Sequence, residues 1–136
     1  MIRLVLLPIL LLLSTGSFAQ IGSRELLCGK KWYPYKMKEA DGTMEKLPAE
    51  YHSAYTRFNC DGTIESIEID PKRMLVKGTW SYNSSTHAVT ATQTSYPDFP
   101  TATYINKVIR LTKDEMAFQA LDKGGGRITL YFSHTP

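Results

Sequence analysis

Gly78-Thr79-Trp80-Ser81-Tyr82-Asn83 is the stretch on which the reading of this chain turns. Val76, Gly78, Trp80 and Tyr82 fall on one side of an extended segment, and Lys77, Thr79 and Ser81 fall on the other. A strand with one buried and one wet face requires that alternation, because successive side chains point to opposite faces. Glycine weakens a strand. Its place two positions before a tryptophan predicts a close backbone approach, or room for a neighbouring ring.

The same kind of segment recurs on both sides. Downstream, Asn83 to Thr86 is a polar turn, and residues 87–94 form a threonine-rich strand with Val89 and Ala91 on one face. Residues 95–100 carry two prolines and read as a loop. Residues 102–111 read as a strand whose Ile105, Ile109 and Leu111 share a face with Lys107. Residues 115–121 alternate Met116, Phe118 and Ala120 with Ala117, Gln119 and Leu121. After the Gly124–Gly126 hairpin, residues 127–133 place Ile128, Leu130 and Phe132 together.

Upstream, residues 63–69 form a strand ended by Pro71. Ile64 has the opposite parity to Ile67 and Ile69, which predicts a bulge or burial on both faces. Asp61-Gly62 marks a hairpin back to a strand over residues 51–59. Residues 44–47 read as a short return, and residues 26–38 as a long first strand with an irregularity at Pro34. No segment has a helical period long enough to predict a helix. Eight evenly spaced strands joined by short turns predict an all-β fold, a small eight-stranded up-and-down antiparallel barrel. Closure of that kind leaves no exposed edge strand.

The beginning of the chain reads differently. Arg3, an apolar run from Leu4 to Leu13, and the small residues Ser17 and Ala19 have the pattern of a secretory signal peptide over residues 1–19. Residues 20–136 are then one exported domain, periplasmic or extracellular. A run of that length, broken by Pro8, is too short for a transmembrane anchor. Lipidation at Cys28 is disfavoured by bulky Leu27 and by Arg24 and Glu25, which separate it from the apolar run. A formal charge of +3, with no basic run longer than two, leaves no footprint for nucleic acid. Two cysteines in an exported chain can form one disulfide. Cys28 at the start of the first strand and Cys60 at the end of the second come side by side if those strands are antiparallel neighbours, although two buried thiols are the alternative.

Four motifs in order carry a family resemblance: Leu26-x-x-Gly29-x-x-Trp32, Phe58-Asn59-x-Asp61-Gly62-Thr63, Gly78-Thr79-Trp80-Ser81-Tyr82, and Ile109-x-Leu111-Thr112-x-Asp114-Glu115-Met116. Together they resemble the bacterial lipocalin-like domain proteins of the Bacteroidetes group. The resemblance implies a barrel and a cell-envelope setting, and brings no established activity with it.

The aromatic set Trp32, Tyr55, Phe58, Trp80, Tyr82, Tyr104, Phe118 and Phe132 is the candidate lining of a ligand cup. The alternative is that these rings simply fill the barrel. Asp41-Gly42-Thr43 and Asp61-Gly62-Thr63 repeat twenty residues apart and supply too few oxygen ligands for calcium, so they read as paired hairpin turns. Glu65, Glu68 and Asp70, near Lys72 and Arg73, read as a solvated face. His52, His87 and His134 lack metal-ligand spacing, no Gly-x-Ser-x-Gly occurs, and Gly124–Gly126 precedes a strand rather than a helix. No cofactor and no enzymatic activity are expected. The expected function is binding of a small hydrophobic or amphipathic molecule. The alternative is an envelope interaction module that uses loops such as Tyr96-Pro97-Asp98-Phe99-Pro100.

Overall fold

The computed structural model of the 136-residue chain describes residues 23–69, 72–94, 101–121 and 125–136. The segment 1–19 read as a signal peptide, Asp70 and the segment 96–100 lie outside the described residues. The described strands are β1 (Lys31–Lys38), β2 (Met44–Lys46), β3 (Thr56–Phe58), β4 (Thr63–Glu68) and β5 (Met74–Asn83). They continue with β6 (Ala88–Thr94), β7 (Ala102–Leu111), β8 (Glu115–Leu121) and β9 (Arg127–Ser133). A short helix α1 (Ser23–Leu27) precedes them, and a 3-10 helix (Ala49–Ser53) lies between β2 and β3.

Each strand pairs antiparallel with its neighbours in the order β2-β1-β3-β4-β5-β6-β7-β8-β9, and β1 also pairs with β9. That last ladder closes a barrel of eight strands, β1 with β3 to β9, and leaves β2 as an extra ribbon on β1. The up-and-down barrel expected from the alternation is therefore the fold. Its seam is narrow: β1 meets β3 only through Lys31↔Arg57 and Trp32↔Thr56. A 2.8 Å bond from the Gly29 amide to the Phe58 carbonyl extends the contact.

β5 alternates as its sequence demands. Met74, Val76 and Trp80 are buried, while Leu75, Lys77, Thr79 and Ser81 are exposed. Gly78 sits where β6 comes closest: a Cβ there would collide with the Thr92 carbonyl oxygen and lie 2.8 Å from Gln93 Cα. The close backbone approach expected at this glycine is present. The irregularity expected at Pro34 is also present, as a register shift between Pro34 and Lys36 against β9.

Both Asp-Gly segments form the same turn. The Glu39 and Asn59 amides each donate to the carbonyl of the threonine four residues on at 2.8 Å, and Gly42 and Gly62 both take φ of +91°. Each aspartate accepts from that threonine's amide, at 2.8 Å for Asp41 and 2.9 Å for Asp61. The threonine hydroxyl, and after it this amide, hold both carboxyls below the ordinary aspartate pKa.

Three expectations need correction, and a fourth is narrowed. Residues 26–30 are not strand: α1 ends at Leu27, which is fully buried, and β1 begins at Lys31. Residues 51–53 belong to the 3-10 helix, which begins directly after Pro48 at a φ that suits a first helical turn. Of the two alternatives offered for Ile64, a bulge or burial on both faces, the bulge is the one to drop. The β4–β5 ladder is unbroken, with Ile64 and Ser66 buried inward and Ile67 half-buried on the outer face. In β7 the face of Ile105 and Ile109 is the outer one, 69% and 46% exposed, while Val108 is buried. A register shift between Val108 and Arg110 changes the parity, so Leu111 packs on the core although Ile105 and Ile109 do not.

Candidate functional site

The interior divides into a packed end and an open end. At the packed end Leu27 and Trp32 are wholly buried, and Trp80 and Met116 nearly so. Each indole has found a backbone acceptor: Trp32 Nε1 donates to the Leu27 carbonyl at 2.9 Å, and Trp80 Nε1 to the Asn59 carbonyl at 2.8 Å. The first of these bonds satisfies a carbonyl at the end of α1 that the helix itself leaves free. A disulfide between Cys28 and Cys60, Cα atoms 5.1 Å apart, ties the end of α1 to the β3–β4 turn. Arg24 closes this end, with its guanidinium 5.1 Å above the Trp80 ring and 2.8 Å from the Cys60 carbonyl.

Edge-to-face rings continue inward from this plug. Phe58 lies 5.0 Å from Trp80 and 6.0 Å from Phe118, and Phe118 lies 5.7 Å from Phe132. Above these rings the barrel holds a cavity of about 290 Å³. Phe58, Ile64, Val89, Ala91, Phe118, Leu130 and Phe132 form its apolar wall. Thr56, Ser66, Glu68, Gln93, Tyr104 and Asn106 give it a polar side. Gln93 Nε2 donates to Ser66 Oγ at 3.1 Å, and Ser66 Oγ lies 3.4 Å from Thr56 Oγ1.

The eight aromatic residues proposed as a lining therefore separate. Phe58, Phe118 and Phe132 line the cavity. Tyr104 lines it only at the mouth and is 52% exposed. Trp32 and Trp80 belong to the plug, and Tyr82 packs beside it with its hydroxyl 3.3 Å from His87 Nδ1. Tyr55 faces outward, 6.3 Å from the Tyr33 ring and beneath the Lys31 ammonium at 4.2 Å. The short β3 explains this, since Thr56 and Phe58 point into the barrel and leave Tyr55 on the outer face.

Glu68 is exposed, as expected of the acids on this strand, but it also lines the cavity. It follows Ile64 and Ser66 on the inward side of β4 and reaches the cavity mouth. Its side chain stays exposed to solvent, while the protein around the carboxyl desolvates it enough to push its pKa above the ordinary glutamate value. Glu65, one of the other acids of that strand, points outward 4.0 Å from Arg57. The polar lining residues were legible in the sequence only as inward positions of strands, because serine, glutamine and asparagine carry no ligand signature of their own. Among the described residues no group of three His, Cys, Asp or Glu side chains is placed to hold a metal, and no helix is long and apolar enough to cross a membrane.

A closed antiparallel barrel with one end plugged and a side-chain-lined cavity at the other is a lipocalin-like architecture. No protein-family model and no curated protein matches the chain. Solved structures do. One is a lipocalin-like protein from Bacteroides uniformis, with 20% identity over 79% of this chain and 97% of that one, and a TM-score of 0.57. Another is a duf4847 family protein from Bacteroides vulgatus, with 15% identity over 84% of this chain and 98% of that one, and a TM-score of 0.58. The lipocalin-like fold that the four motifs implied is the fold of this chain.

Proposed function

We propose that this chain is an exported lipocalin-like protein that binds one small amphipathic molecule in the open half of its barrel. The cavity carries the reading. At about 290 Å³ it lies at the small end of ligand sites, and it presents an apolar wall of phenylalanine and aliphatic side chains with polar groups near its mouth. A molecule with a short apolar body and one polar end matches that division. The plugged end limits how long the body can be. Export rests on the leader-like pattern of residues 1–19, and protein recovered from the cell envelope would begin at Gln20.

Native mass spectrometry of protein purified without detergent tests binding directly. A retained small mass, or uptake of an apolar fluorescent probe, is the expected result. Ala91→Leu projects extra methyl groups into the cavity, so it should abolish uptake with little loss of stability. Protein that is empty and takes up no probe would rule the reading out.

A further inference from the structure

We propose that the molecule bound in this cavity carries a cationic amine at its polar end, with Glu68 as its counter-charge. The inference rests on the binding reading above and specifies the ligand class. Three observations carry it.

Among the described residues that line the cavity, Glu68 is the one charged side chain, and none of them is a lysine, arginine or histidine. Among the described residues it also has no ion-pair partner, whereas Glu65 lies 4.0 Å from Arg57 and Glu115 lies 2.8 Å from Arg110. An exposed carboxylate at the edge of an apolar chamber gains most from a cation that arrives with its own apolar body. The rest of the polar side suits the same head group. Half-exposed Tyr104 brings an aromatic ring to the same lining, a group to which a cation is attracted. Asn106 contributes a side-chain carbonyl as a further acceptor. An anionic head would meet Glu68 with like charge and, among the described lining residues, no compensating cation. A neutral head would find hydrogen bonds but leave that charge unmatched. The volume sets the scale of the body, since about 290 Å³ corresponds to roughly ten water volumes. That admits a short-chain or single-ring amine and excludes a long-chain lipid held wholly inside.

Calorimetric titration of the purified protein with octylamine, octanol and octanoate isolates the head group, because the three share one apolar chain. The amine should bind about tenfold more tightly than the alcohol, and octanoate more weakly than either. Glu68→Gln, which preserves shape, should bring the amine down to about the alcohol's affinity. Equal affinities in the unaltered protein, or an amine preference that survives Glu68→Gln, would overturn the assignment while leaving the cavity a binding site. Failure of all three to bind would overturn the binding reading itself, and the assignment with it.

Discussion

Trp80 is tied to Asn59 across the packed end of the barrel, its indole nitrogen donating to the Asn59 carbonyl at 2.8 Å. The bond joins β5 to the β3–β4 turn, and the Phe58 ring beside it fills the space beneath. Trp80→Phe keeps an aromatic body but removes the donor and part of the volume. A loss of about 1–3 kcal/mol is expected, from the orphaned carbonyl and poorer packing together. Urea unfolding followed by the fluorescence of Trp32, the other of the two tryptophans, measures it.

Gly78 should not tolerate a side chain. A methyl group there meets backbone on β6, at Thr92 and Gln93, and neither strand can turn aside without breaking its ladder. Gly78→Ala is expected to cost about 1–3 kcal/mol, although alanine is no worse a strand residue than glycine. A variant as stable as the parent in thermal melts would show that β5 and β6 can separate there.

Reduction of the Cys28–Cys60 bridge releases α1 from the turn it is held against. The two cysteines are 32 residues apart in sequence, and closing a loop of that size restricts the unfolded chain by about 3–4 kcal/mol. Unfolding midpoints with and without a thiol reductant should differ accordingly, and the double variant Cys28→Ser with Cys60→Ser should not respond to reductant.

Tyr35 gives the fold an alkaline limit. Burial, and then its 2.7 Å bond to Glu115 Oε1, raise its pKa from 10.0 to about 12. The folded state therefore holds this proton more tightly than the unfolded chain does. That stability is fully present below pH 10 and is lost as pH rises toward 12. Phenolate absorbance should keep growing across that interval, and Tyr35→Phe should remove its last portion.

Glu68 works in the same sense at acid pH. Its raised pKa means that the folded state favours the protonated carboxyl, so stability declines as pH climbs through the range just above the ordinary glutamate value. Glu68→Gln should flatten that part of the stability profile and leave the alkaline part unchanged. Chemical denaturation at a series of pH values reads both.

Where one face of a strand is apolar and the other polar, as in β5, sequence was enough to say which side goes in. Asp-Gly-Thr identified the two matching turns for a comparably local reason, since carboxylate, left-handed glycine and threonine amide all meet within five residues. The bounds of β7 were legible but its facing was not, because Tyr104, Ile105, Val108 and Ile109 make both faces apolar and a one-residue register shift reverses parity partway along. The helix α1 was missed because one turn and a half is too short to show a helical period.

Alternation and turn chemistry, which act between near neighbours, thus determined the strands, their antiparallel order and the barrel. Which rings became plug and which became cavity wall depends on how far each strand runs before the barrel closes, a property of all eight strands at once. The seam of two residue pairs between β1 and β3, and the helix drawn under it by Cys28–Cys60, settled that division. Only the tertiary structure could turn Glu68 from one acid among several on a strand into the charged residue at the mouth of the cavity.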